Sequence, residues 1–259
     1  MKIIVPLLSS SILIGPVAGI IGGNELMKAR TYVAGIRTTV DPKSEDNFSH
    51  CGGVLITSTH VLTTASCAEA APANFVSVGA YFVNGGEDGE EIKVRSVTKH
   101  PQFNRNTLSN DFAVLTLEKK CSKKPVQLPA PGGADIRSGM WVTAMGWGLT
   151  SASADAMSSE KLKELHQQII PNDVCRKALK STTIGMSHVC AGGQRGQSPC
   201  VGDMGGPVIR GDASVDGNDV LIGLIAGSDG CGVKQGIPAI YARVSSVLPW
   251  INSVVKNSK

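Results

Sequence analysis

The octapeptide CVGDMGGP, Cys200 to Pro207, places a carboxylate (Asp203) and a thioether (Met204) on a glycine-rich turn. A residue held out on such a turn could attack a carbonyl if it carried a hydroxyl or a thiol. Met204 carries neither, and its sulfur has no proton for a base to remove. The histidines offer no other centre. His50 adjoins Cys51, His60 falls in a turn, His100 precedes Pro101, and His166 and His188 lie in the second half. None is spaced from another His or Cys as metal ligands are, so no metal and no cofactor is expected. The dense basic run is Lys119-Lys120-Cys121-Ser122-Lys123-Lys124, in a chain of formal net charge +4. That mild balance reads as a solvated loop and not as a nucleic-acid surface.

The N-terminus carries an address. Met1-Lys2 is a short positive head, Ile3 to Ile14 a mostly apolar run, and Val17-Ala18-Gly19 a small-residue cleavage site. Residues 1–19 therefore read as a secretory signal peptide. The run falls short of the ~20 apolar residues that span a bilayer, and no later segment reaches that length. An exported chain makes its seven cysteines readable as a disulfide framework with one left over. Connectivity is not fixed by sequence, but spacing favours neighbours: Cys51 with Cys67, Cys175 with Cys190, Cys200 with Cys231. Cys121 is then the odd one, either a free thiol or a link to another chain. Asn47-Phe48-Ser49 is the single N-glycosylation sequon.

The elements that must position these groups are short. Apolar runs such as Val54 to Ile56, Phe112 to Leu117, Trp141 to Met145 and Ala239 to Val244 stand between Gly, Pro and Asn punctuation. That is a strand-and-turn chain. Pro129 to Gly133 suits a crossing between two halves. Ser245 or Ser246 can cap a C-terminal helix with Pro249 in its first turn. By composition alone, KLKELHQQII (161–170) has helical propensity.

Five anchors in order resemble the trypsin-like serine proteases: IIGG at Ile20 to Gly23, CGGVLITSTHVLTTASC at Cys51 to Cys67, NDFAVLTL at Asn110 to Leu117, CVGDMGGP, and GCG followed by IPAIYARVS. The resemblance implies an all-β fold of two antiparallel six-stranded β-barrels, roughly 20–128 and 129–245, within one domain of residues 20–259. A short C-terminal helix at about 246–257 follows. It also recasts KLKELHQQII as a strand. In that family a histidine, an aspartate and a serine form the catalytic triad; the matching positions here are Ser66, Asp111 and Met204. A hydroxyl cannot serve as the base and a thioether cannot serve as the nucleophile, so the resemblance implies a protein that is not an enzyme. The pocket positions are altered too: Ser198 at the base, Ala226-Gly227-Ser228 along the peptide platform, and Ala239 in place of a glycine. Asp203 matches the family residue that pairs with a newly freed amine, here that of Ile20 after removal of the leader.

Several stretches, among them TYVAGIRT, FVSVGAYFVNGGEDGEEIKV, SGMWVTAMGWG and DVLIGLIAGSDGCG, resemble a narrower group. These are the glucanase inhibitor proteins of oomycete plant pathogens. Membership implies a secreted effector in the host apoplast that binds and inhibits host plant endo-β-1,3-glucanases. The loops Asp41 to Phe48, Tyr81 to Glu91 and Ser151 to Lys161 are expected to be exposed and to supply the contact. The alternative is a secreted pseudoprotease that engages another extracellular protein or a polyanion.

Overall fold

Strands of four to ten residues rich in Val, Ile, Leu and Thr dominate the computed structural model, which describes residues 20–86, 88–132, 136–153, 155–180, 182–211 and 218–258. The stretch 1–19, expected to be a leader, lies outside the described residues. A two-residue strand, β1 (Asn24–Glu25), comes first. The next six are β2 (Val33–Arg37), β3 (Cys51–Thr57), β4 (His60–Thr63), β5 (Phe75–Val78), β6 (Glu90–Lys99) and β7 (Ala113–Leu117). They close into an antiparallel barrel in the order β2-β3-β4-β7-β6-β5. Its interior is filled by residues such as Val54, Leu62, Val76, Ile92 and Leu115, all buried.

The second barrel uses β8 (Trp141–Gly146), β9 (Lys163–Ile170), β10 (His188–Ala191), β11 (Pro207–Arg210), β12 (Val220–Ser228) and β13 (Ala239–Arg243). Their order is β9-β10-β13-β12-β11-β8, with β8 pairing back onto β9 and β1 added to β9. The stretch 163–170 is a strand despite its composition. Leu165, Gln167 and Ile169 are buried while His166 and Gln168 face out, a period of two set by six residues of pairing with β8. Tertiary pairing overrides local propensity here.

Among the described residues, three α-helices, α1 (Ala65–Ala70), α2 (Asn172–Ala178) and α3 (Leu248–Asn257), and a 3-10 turn at Val244–Ser246 complete the set. The expected serine cap of α3 is not formed. Val247 stands at its N-cap with no side-chain bond, and Ser246 Oγ instead donates to the Arg243 carbonyl at 2.6 Å. Pro249 in the first turn removes one N–H that a cap would accept from. His60 also departs from expectation. It opens strand β4, is 2% exposed, and pairs with Thr116 of β7.

Disulfides join Cys51 to Cys67, Cys175 to Cys190, and Cys200 to Cys231. Cys121 is unpaired and buried, with its thiol 3.4 Å from a Glu90 carboxylate oxygen. Burial pushes that thiol up to about 11, which keeps it protonated and a poor partner for exchange with another chain.

Candidate functional site

The two barrels meet where backbone touches backbone. A Cβ on Gly52 of β3 would lie 2.5 Å from Gly206 Cα, and one on Gly205 would lie 2.3 Å from the Gly52 carbonyl oxygen. Gly205 also has φ of +81°, a region that suits glycine. These glycines let the turn 200–206 lie directly on the first barrel, and the Gly52 N–H donates to the Met204 carbonyl at 2.8 Å. Within the turn the N–H of Asp203 reaches the Cys200 carbonyl and that of Gly206 the Asp203 carbonyl. From the second barrel, the Ile225 carbonyl takes the N–H of Gly205 at 2.8 Å. Met204 is thus held at the junction, partly exposed.

Ser66 and Asp111 are brought together. Ser66 is the second residue of α1, a helix capped by Thr64 Oγ1, which accepts from the Cys67 N–H at 3.3 Å. Asp111 is fully buried just before β7. Its Oδ1 accepts the Ser66 N–H and its Oδ2 accepts the Ser66 hydroxyl, both at 2.7 Å. Burial pushes the Asp111 carboxyl up to about 6, while bonds from Ser66 and the Ala65 backbone act against that rise. The serine therefore serves as a hydrogen-bond donor to the carboxylate. Its ordinary hydroxyl cannot take a proton near neutral pH.

Asp203 is buried beneath the turn and accepts the N–H of Gly148 at 2.7 Å and of Cys200 at 2.9 Å. Burial pushes its carboxyl up to about 7. Ile20 is fully buried, with a φ of 42° that a β-branched residue rarely adopts. Its neighbour Ile21 bridges to Ser198, whose N–H donates to the Ile21 carbonyl at 3.0 Å.

Beside Met204 is a pocket of about 130 Å³ lined by Pro199, Cys200, Val201, Met204, Ile225, Gly227, Ser228 and Cys231. It carries no charge. Ser198 lies behind Pro199, with its hydroxyl donating to the Pro199 carbonyl at 2.8 Å. The Ser228 hydroxyl donates to the same carbonyl at 2.7 Å. Ala226 is buried and carries no hydroxyl, and the donors on the Asp111 carboxylate come from α1.

The histidines do not enter this arrangement. His188 is buried in β10, accepting the Gly185 N–H at Nδ1, and His100 packs edge-on against Trp250. The exposed His166 has its Nε2 3.6 Å from Glu164. His50 lies close to the sulfurs of Cys51 and Cys67, but these are joined in a disulfide and offer no thiolate. Sequence reasoning missed two arrangements. One is the Ser66–Asp111 pair, for which the signal was Thr64 at a helix start. The other is buried Arg37, which donates to Glu91, to the Asn47 carboxamide and, at 3.0 Å, to Ser77. The loop 81–91 also departs from expectation, because most of its described residues are half-buried. The Tyr81 carbonyl accepts from Trp147 Nε1 and Val83 N–H donates to Glu160.

The trypsin family model matches residues 20–251. Glucanase inhibitor protein 1 of Phytophthora infestans is 40% identical over 99% of this chain and 98% of its own. Glucanase inhibitor protein 2 of the same organism is 45% identical over 88% of this chain and 85% of its own. Glucanase inhibitor protein 1 of Phytophthora sojae is 43% identical over 91% and 88%.

Proposed function

On the premise that this chain belongs to the trypsin family, we propose that it is a proteolytically inactive member that binds and inhibits host plant endo-β-1,3-glucanases. The reading includes secretion, supported by the expected leader at residues 1–19, and takes the host apoplast as the place of action from the resemblance. The observation that carries the reading is the Ser66 hydroxyl seated on Asp111 Oδ2 at 2.7 Å. It fills the place where the family's base would stand, and Met204 fills that of the nucleophile. A site without base or nucleophile has no covalent route to a peptide bond. What remains is a surface, and the relatives that share about two-fifths of the sequence are named as inhibitors of glucanases.

Inhibition by this route is protein–protein contact. The uncharged pocket beside Met204 has the exposed Val201, 64% accessible, on its lining, and the neighbouring loop presents Met157, 76% accessible. Apolar anchors of this kind carry most of the energy of an interface, with the charged rim acting on the association rate. The test is capture from plant apoplastic fluid with the secreted protein, followed by a laminarin hydrolysis assay of the captured enzyme. The expected result is a bound endo-β-1,3-glucanase whose activity falls in proportion to added protein. A folded protein that captures no glucanase returns the reading to a pseudoprotease for another extracellular partner.

A further inference from the structure

A second concave site lies away from Ser66, Asp111 and Met204. It has a volume of about 730 Å³ and is lined by Thr57 to His60, Arg95, Leu117 to Lys120, Val255 and Ser258. That size suits a small ligand, for which pockets run ~300–1,000 Å³. Its charge is positive. Glu118 is met by Lys93 at 3.2 Å, which leaves Arg95, Lys119 and Lys120 as the cations on the lining. Arg95 is held in place by a bond of 2.8 Å from Nη2 to the Ser258 carbonyl.

The buried His60 closes the floor of the groove. Its Nδ1 is 2.8 Å from the Thr57 hydroxyl and 3.0 Å from that of Thr59. Burial and the Arg95 charge both hold this imidazole in its neutral form. Val255 adds a half-buried apolar side chain to the same groove.

We propose that this groove binds a compact organic oxyanion, a sulfate or phosphate monoester with a small apolar body. The oxyanion meets Arg95, Lys119 and Lys120 above the His60 floor, and the body rests against Val255. The site is independent of the glucanase reading.

The probes are phenyl sulfate, phenyl phosphate, inorganic sulfate and benzyl alcohol, each titrated into the secreted protein by calorimetry and by NMR of the histidine side chains. At least one aryl ester should bind saturably at a single site, shift the His60 imidazole signals, and weaken as salt rises. The ester that binds more tightly identifies the head group. Lys119→Ala with Lys120→Ala, both exposed positions, should weaken it by about tenfold or more. Failure of both esters to saturate overturns the proposal, as does equal binding to the double variant. So does inorganic sulfate or benzyl alcohol binding as tightly as the esters.

Discussion

The Ser66 hydroxyl donates to Asp111 Oδ2, and its N–H donates to Asp111 Oδ1, each over 2.7 Å. On the proposed reading, Ser66 stands in the place of the family's base and acts as a donor to the carboxylate that would have oriented it. The consequence for activity is direct. Loss of the base and nucleophile together removes about 10⁶-fold of turnover in a triad enzyme. Met204→Ser alone should therefore leave hydrolysis of a trypsin-type ester at background, because Ser66 cannot take the new hydroxyl's proton. Measurable turnover by the unmodified protein or by M204S contradicts this account.

The same pair fixes a pH dependence. The folded Asp111 carboxyl sits at about 6 against an ordinary 3.8, so its charged form is disfavoured by folding. The penalty is full above pH 6, about 3 kcal/mol, and disappears as pH falls below 3.8. Ser66→Ala removes the donor to Oδ2, and should cost a further ~1–3 kcal/mol at pH 8. At pH 4 the carboxyl holds its own proton and the cost should shrink. Urea midpoints of the two proteins at both pH values check the sign.

The barrels were legible in the sequence because short apolar runs and turn residues repeat with few interruptions, and because five motifs fall in order. The register of 163–170 was not legible from composition. Lys163, Glu164 and Gln167 favour helix alone, and only pairing with β8 makes the buried positions alternate. At the site, the types at 66, 111 and 204 could be read, but the new bond between two of them could not. It depends on α1 starting at Ala65 and aiming first-turn N–H groups at a buried carboxylate. His60 was misread because the preceding Ser58 and Thr59 do form a turn, and the strand begins one residue later.

Asn47 is more than a sequon. Its carboxamide oxygen accepts from the guanidinium of Arg37, which is fully buried and also donates to Glu91 and Ser77. A glycan on Nδ2 leaves that oxygen in use. Asn47→Ala deprives a buried cation of an acceptor and should cost ~1.5–3 kcal/mol. In a domain of this size that lowers Tm by roughly 3–12 °C. Calorimetry on enzymatically deglycosylated samples separates this effect from loss of sugar. An unchanged melting temperature rules out the Arg37 anchor.

Cleavage after Gly19 is expected to free the Ile20 amine and pair it with Asp203. Two observations support this: the positive φ at Ile20, which chain release relaxes, and a buried Asp203 carboxyl raised to about 7. While the leader is attached, the charged Asp203 opposes folding, by up to about 4 kcal/mol once pH exceeds 7 and by nothing below 3.8. A freed amine favours the charged form, so the cleaved chain should gain most over the uncleaved chain near pH 8. Mass spectrometry fixes the first residue, and denaturant midpoints of the two forms at pH 4 and pH 8 give the difference. Equal gains at both pH values argue against the ion pair.

The glucanase contact is expected from two loops and not from three. The stretch 41–48 is mostly exposed, with Phe48 at 41%, and 151–161 presents Met157 at 76%. Both hold their shape through local bonds, such as Lys43 N–H to Asp41 and Ser153 N–H to the Ser151 hydroxyl. The stretch 81–91 instead carries Tyr81, whose carbonyl takes Trp147 Nε1, and Glu91, which meets Arg37. Exchanging 41–48 while keeping Asn47, or exchanging 151–158, for the loops of an active trypsin should weaken glucanase binding. An interface of standard size, ~1,600 Å² in total, draws its affinity from few anchors, so losing Phe48 or Met157 should cost about tenfold or more. The melting temperature should hold, because neither exchange opens a barrel. Exchange of 81–91 should lower the melting temperature through Trp147 and Arg37, and any loss of binding there is then a loss of fold. Glucanase inhibition that survives both surface exchanges, with Tm unchanged, moves the contact to another face of the molecule.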